Sequence, residues 1–399
     1  MRVLRLRLPG KDPVGAPVQV RQVRTRGNGA QVSTDPKVKA EAEVKAEAKE
    51  TGLPPSSTST LTSPLVVAAS PHVRSQASVS RIMWVVAIAL LPALGGSVYF
   101  FGLKSLLLVA ISVASSMLFD ALTQRAFGRK PTPFDGSAAV TGLLLAYNLP
   151  PGVPLWMPVV GAAFATVVVK QFFGGLGHNF INPALAARAF LMVSWPTHMT
   201  TMWLKPFGTA PLSGIDAVSG ATPLAFVRRA AELVPQGMDL NELLRQANSL
   251  AELKRLFLGN IGGCLGETSA LLLLIGALFL IIIRVVDWRI PVAYIGTVIV
   301  LALVLPNNPM TYSFHVLSGG IILGAFFMAT DYVTSPVTGK GRIIFGIGCG
   351  LITMLIRLYG GYPEGCSYSI LLMNVATPLI DRLTRPRLFG AVKKTKAAK

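Results

Sequence analysis

From Ile82 to Ile380 the chain repeats one pattern, in which long apolar runs alternate with short connections rich in polar residues, glycine and proline. The hydrocarbon core of a bilayer is crossed by roughly 20 helical residues. The runs predict helices over 82–101, 104–122, 136–150, 154–173, 183–195, 268–284, 290–305, 315–329, 343–358 and 368–380. Six of these are shorter than about 17 residues, and glycine or proline interrupts several. Such spans are tolerated where protein or a water-filled cavity, rather than lipid, surrounds their backbone. The pattern therefore predicts an all-α polytopic membrane protein with about ten transmembrane segments, several of them short or interrupted.

The two halves of this pattern echo each other. "SAAVTGLLLAYNLP" in the third run resembles "SGGIILGAFFMATDYVTSP" in the eighth, and "NFINPALAARAF" in the fifth is answered by "YSILLMNVATPLID" in the tenth. Five spans per repeat is an odd number, so the repeats are expected to be inverted, with short interrupted helices lining a central site. Chance likeness between Gly/Ala-rich helices is the competing account.

Composition agrees with a membrane domain: 52% of residues are hydrophobic and 14% charged, too apolar for an ordinary soluble protein. The first 75 residues differ. "KVKAEAEVKAEAKE" and "TGLPPSSTSTLTSP" bury too little apolar surface to fold, so 1–75 is expected to be a disordered cytoplasmic tail. No apolar run of secretory type follows "MRVLRLRLPG". The membrane domain is placed at 76–387 and a basic cytoplasmic tail at 388–399.

The net charge of +19 does not indicate nucleic acid, because the basic residues lie in the tails and in short connections. Arg125, Arg129, Lys130, Lys170, Arg284, Arg289, Lys340, Arg342 and the C-terminal tail mark one side as cytoplasmic, with both termini inside. The long connection 196–267 falls on the other side.

Few residues suggest metal chemistry. Cys264, Cys349 and Cys366 lack CxxC or Cys/His spacing, and His72, His178, His198 and His315 are scattered, so no metal site is expected. Polar residues inside spans carry more meaning, since each is costly in hydrocarbon. Arg188 lies within the fifth run near Asn179 and Asn182, and Asp331 follows the eighth. Asp120, Glu364 and Asp381 sit near span ends, as boundary residues or as part of an ion route. Lys104 and Lys170 are expected to snorkel to the interface.

The central connection contains "DAVSGATPLAF", Asp216 to Phe226. Thr222 followed by Pro223 reads as an N-cap with proline at the first helical position. A phosphoester on that threonine would also suit the free amides and positive dipole end of a helix start.

"DAVSGATPLA" resembles the flavinylation motif D-x-x-S-G-A-T of the membrane subunits that carry covalent FMN in Rnf complexes and in sodium-translocating NADH:quinone reductases. "SVSRIMWVVAIALLPAL", "GGLGHNFINPALAARAFLMVSWP", "LFLGNIGGCLGETSALLLLIGALFLI", "GAFFMATDYVTSP" and "GYPEGCSYSILLMNVATPLIDR" resemble family blocks in the same order, over roughly Ser70 to Arg387. The short link "YFFGLKSLLL" between the first two runs is similar to the Rnf D subunit rather than to the quinone-reductase B subunit, which carries an insertion there. The resemblance implies FMN attached to Thr222 by a flavin transferase that uses FAD, with Asp216, Ser219, Gly220 and Ala221 completing the motif. It also implies a second, non-covalent flavin, riboflavin, for which Asn182 and Asp331 are the candidates.

On the same resemblance the protein is an inner-membrane subunit of a bacterial complex that moves electrons between ferredoxin and NAD and couples them to proton or sodium transport. Its partners would be the other Rnf subunits and membrane lipid, with the transferase during maturation and no nucleic acid. No GxGxxG fingerprint follows a strand, so dinucleotide and ferredoxin are expected to dock elsewhere and the chain is not catalytic alone. A B-type quinone-reductase subunit and a small-solute channel or transporter remain as alternatives.

Overall fold

The computed structural model describes residues 78–204, 206–207, 222–224, 248–305, 310–360 and 364–386, which fall in one compact unit, Ser75–Lys399. Among them the regular structure is helical, with no β-strand element. Ser78 caps α1 (Val79–Phe101), its hydroxyl accepting from the Arg81 amide at 3.2 Å. Gly102, at φ +78°, turns the chain directly into α2 (Leu103–Ala126). Next come α3 (Ser137–Tyr147) and α4, which runs as an α-helix over Trp156–Ala163 and widens to a π-helix over Phe164–Gln171. Helices α5 (Pro183–Ser194), α6 (Pro196–Thr201) and α7 (Leu250–Leu258) precede α8 (Ala270–Ile282) and α9 (Arg289–Val304). After α10 (Tyr312–Leu317) comes α11, Ile321–Leu323 continuing as a π-helix over Gly324–Met328. Finally α12 (Gly339–Tyr359) leads to α13 (Cys366–Thr384).

Helices overlie all ten apolar runs. Three of them, α1, α2 and α12, are long and apolar enough to cross a membrane by length and composition. The eighth run is not one helix: Gly319, at φ +68°, separates α10 from α11, a left-handed conformation that glycine adopts without strain.

Helix α3 lies in the interior, and α1, α2, α8, α9 and α12 present large apolar side chains outward. In α3 every residue except Thr141 is buried, while Leu91, Leu118, Ile282, Val300 and Leu351 on α1, α2, α8, α9 and α12 are exposed. Large apolar side chains facing outward around a buried core are expected where the surroundings are lipid. Close backbone approach at small residues joins the layers. A Cβ on Gly276 of α8 would run into the Ala89 carbonyl of α1, and one on Gly350 of α12 would lie 2.8 Å from the Tyr294 carbonyl of α9. Between α2 and α3 the Ser112 hydroxyl donates to the Gly142 carbonyl at 2.7 Å.

The expectation that Lys170 snorkels is overturned. It is 2% exposed, because the π-helix of α4 turns it inward, where its Nζ lies 2.8 Å from Ser137 Oγ and 3.0 Å from Asp120 Oδ1. Lys104 is half-buried and donates to the Gly152 carbonyl at 3.2 Å.

Candidate functional site

Three polar features lie in the membrane domain. The first is a narrow cleft with a free volume of about 90 Å³, whose lining includes Asn179, Asn182, Asp331, Lys170, Phe326 and Tyr332. Asn182 caps α5: its Oδ1 accepts from the amides of Ala184 and Leu185 at 3.0 and 3.3 Å. Its Nδ2 donates to the Met328 carbonyl at 3.3 Å, tying α5 to the end of α11. Asp331, just beyond that end, accepts from the Thr334 hydroxyl at 3.2 Å. The structure thus brings Asn182 and Asp331 into one cleft, with Asn179. Lys170 completes it with a cation whose partner Asp120 also accepts from Gln171 and Gln124, at 2.7 and 3.0 Å. Sequence reasoning overlooked Lys170 there, although a lysine inside "VVVKQFF" was a sufficient signal.

The second feature is the network around Arg188. Its Nη1 donates to Asn148 Oδ1 at 2.9 Å and Ser367 Oγ at 3.0 Å, and lies 3.5 Å from Glu267 Oε1. Its Nη2 bonds Glu364 and lies 3.7 Å from Cys264 Sγ. Burying a guanidinium is costly unless opposite charge and hydrogen bonding compensate it; here two carboxylates supply the charge and both Nη atoms are bonded, while Nε has no partner. Among the described residues Cys264, Glu267 and Glu364 form the one group with metal-ligand spacing. Arg188 donates to all three, so a guanidinium is the cation those ligand atoms already face. Asn148 carries the network onward, its Nδ2 donating to Met328 Sδ at 3.6 Å. Asp120 and Glu364, read from sequence as span-end acids, are ion-pair partners, Asp120 buried and Glu364 partly so, whereas Asp381 accepts from the Val337 amide in a connection at 3.1 Å.

The third feature is the segment at Thr222. Asp216, Ser219, Gly220 and Ala221 lie outside the described residues. Thr222 is buried, 7% exposed, and immediately precedes a helical turn at Pro223 and Leu224, the position a capping threonine takes. Leu224 packs with Leu256, Ile261, Met310 and Phe314 in a small cluster of its own. It also reaches the break between α10 and α11: a Cβ on Gly319 would lie 3.0 Å from Leu224 Cδ1 and 3.3 Å from Arg357 Nη2. Arg357 does not stand out in the sequence, because an arginine near the end of "MLIRLYGG" looks like an ordinary boundary residue.

Among the described residues, a helical domain with large apolar side chains facing outward and charged side chains deep inside it is that of an integral membrane protein. The chain belongs to the NQR2, RnfD, RnfE family, whose model matches residues 66–390. It is 53% identical over 337 residues to the D subunit of the Na(+)-translocating ferredoxin:NAD(+) oxidoreductase complex of Acetobacterium woodii, covering 84% of this chain and 98% of that one. It is 45% identical to the D subunit of the proton-translocating ferredoxin:NAD(+) oxidoreductase complex of Clostridium ljungdahlii, over 81% of this chain and 96% of the relative. To the D subunit of the ion-translocating oxidoreductase complex of Stutzerimonas stutzeri it is 41% identical, over 79% of this chain and 93% of that one. Within the family the chain therefore falls with the D subunits of Rnf complexes.

Proposed function

We propose that this protein is the flavin-carrying D subunit of an ion-translocating ferredoxin:NAD oxidoreductase complex. Its helices form ten spans in two inverted five-span repeats in a bacterial inner membrane, with both termini cytoplasmic and the 196–267 connection outside. Contacts between corresponding helices support the repeat: α1 packs on α8, and α5 on α13. The π-helices at the ends of α4 and α11 both lie beside the cleft. The working assembly includes the other Rnf subunits and lipid.

The observation that carries the flavin reading is the family motif ending at Thr222, together with that residue's place directly ahead of a helical turn. The residue type and position suit an FMN phosphoester: a threonine hydroxyl directly ahead of a helical turn at Pro223 and Leu224. A flavin transferase would form the Thr222 Oγ–phosphorus bond as the pyrophosphate of FAD breaks; AMP leaves and the hydroxyl proton goes to solvent. Once bound, the flavin supplies the one-electron chemistry, and the protein positions it and excludes water.

Riboflavin is assigned to the cleft of Asn182 and Asp331, whose walls combine aromatic rings with a few polar groups as ligand sites do, and its free volume of about 90 Å³ means that the walls part to admit the ring. There Asn182 and Asp331 offer hydrogen bonds and Lys170 a positive charge at one wall. Electrons pass between this subunit and its neighbours, and the sequence similarity to D subunits favours this reading over a quinone-reductase B subunit or a solute channel.

The test is fluorescence of the detergent-denatured polypeptide on a gel, after expression with the flavin transferase. The expected result is a fluorescent band lost in Thr222→Ala. A dark wild-type band, or one unchanged by the substitution, refutes the anchor. The cleft is tested separately by flavin released on denaturation, which should fall in Asp331→Leu and Asn182→Leu while the covalent band persists; unchanged release refutes the second flavin site.

A further inference from the structure

Arg357 is a half-buried cation that the network around Arg188 leaves without a carboxylate in salt-bridge contact. Among the described residues it makes no ion pair, and its three hydrogen bonds go to main-chain carbonyls. Nη1 donates to His315 O at 2.6 Å, Nη2 to Ser318 O at 2.9 Å and Nε to Glu364 O at 3.1 Å. The nearby carboxylates of Glu267 and Glu364 are both taken by Arg188. Carbonyl dipoles hold a guanidinium in place but do not neutralise it.

The location of this charge is specific. At the break between α10 and α11, Gly319 has no side chain, and the space its Cβ would fill is bordered by Arg357 Nη2 at 3.3 Å and Leu224 Cδ1 at 3.0 Å. Leu224 is two residues beyond Thr222. A second, independent observation comes from Ser318, whose carbonyl holds Arg357. Its hydroxyl is fully buried and has no hydrogen-bond partner. A buried hydroxyl left unsatisfied costs free energy, and a ligand oxygen beside it would satisfy it.

We propose that Arg357, with the Ser318 hydroxyl, forms the counter-charge site for the phosphate of the flavin carried on Thr222. This rests on the reading of Thr222 as the anchor. A phosphodiester carries one negative charge and spare acceptor oxygens. A guanidinium and a hydroxyl donor at the break between two helices match both, and the missing Cβ of Gly319 lets the Thr222 segment approach closely. Arg357 is thus a positioning residue, holding the phosphate so that the flavin ring keeps one orientation and one electrostatic environment.

The test uses the assembled complex purified from a host with the flavin transferase. Wild type and Thr222→Ala, compared by fluorescence of the denatured band, decide whether the anchor exists. Arg357→Gln, Arg357→Lys and Ser318→Ala are then compared by band fluorescence and by the midpoint potential of the covalent flavin. Loss of a nearby positive charge disfavours the reduced, more negative flavin, so Arg357→Gln should keep a fluorescent band with a lowered potential. Arg357→Lys should restore most of the shift, and Ser318→Ala should give a smaller one in the same direction. Loss of the band in Arg357→Gln but not in Arg357→Lys also supports the site, because the charge is then needed before the bond forms. A fluorescent Arg357→Gln band at the wild-type potential overturns the proposal while leaving the anchor intact. Equal loss of the band in the Gln and Lys variants also overturns it, since Arg357 would then be only a brace for the helix break.

Discussion

Lys170 and Asp120 show how a buried charge is tolerated at the level of single residues. Both are essentially inaccessible, and each satisfies the other together with Ser137, Gln171 and Gln124. The net value of such a pair is modest, but removing one partner leaves the other charged and dehydrated, at a cost of about 3–5 kcal/mol. Lys170→Met should therefore lower the thermal stability of the purified protein sharply, and Asp120→Asn in the same chain should recover much of the loss. If the double variant is no more stable than Lys170→Met, measured by melting in detergent, the pair is not what holds these side chains. Snorkelling fails as an expectation for Lys170 because it depends on which way a helix turns at its end. Nothing in the sequence signals the π-helix over Phe164–Gln171 that rotates this side chain inward.

At the scale of helices, packing density decides which glycines matter. Gly276 sits where any side chain would strike the Ala89 carbonyl, whereas a Cβ on Gly296 would meet nothing within 4 Å. Gly276→Ala should separate α8 from α1 and destabilise by about 1–3 kcal/mol or more, in the range of overpacked cores. Gly296→Ala should be neutral or gain about 0.5–1 kcal/mol from helix propensity. Matching melting temperatures for the two variants would contradict this packing.

The connection between α8 and α9 holds a different device. Asp287 accepts from the Arg289 amide at 2.9 Å and pairs with Arg342 at the start of α12. Partial burial pushes its carboxyl up, but the Arg289 amide and the Arg342 guanidinium outweigh this and hold it below the ordinary carboxylate range. A lowered pKa means that the contribution is complete above about pH 4, the unfolded value, and is lost as pH falls through the folded one. Wild type should lose stability over that acid limb more steeply than Asp287→Asn, which lacks the contribution at every pH. Parallel melting curves against pH would show that Asp287 is not held this way.

Over the whole molecule, the apolar pattern made most of the fold legible. Every run overlies helix, the eighth in two pieces, because a span's length and hydropathy are local properties of the chain. Thr222 was legible as the candidate anchor for a similar reason, as the end of a contiguous motif. The interruption at Gly319 and the surroundings of Arg357 and Ser318 were not, because each depends on neighbours brought from other helices. The same holds for Arg188: its position inside a span marked it as costly, but its partners Glu267 and Glu364 lie 79 and 176 residues further along the chain.

That separation has a consequence for biogenesis. The chain is made from its N-terminus, so α5 emerges carrying an arginine whose acid partners have not yet been synthesised. Until Glu364 follows, Arg188 lacks one of the two carboxylates that compensate it, and α5 cannot settle against lipid without a heavy penalty. Assembly of the interior therefore waits for the last helices, and a chain stopped after Tyr359 should be cleared rapidly, while one stopped after Arg387 accumulates. Pulse–chase labelling in cells measures the difference, and equal lifetimes would show that α5 finds its place without Glu364. The buried cluster would thus act as a completion check, letting quality control tell a finished subunit from an unfinished one.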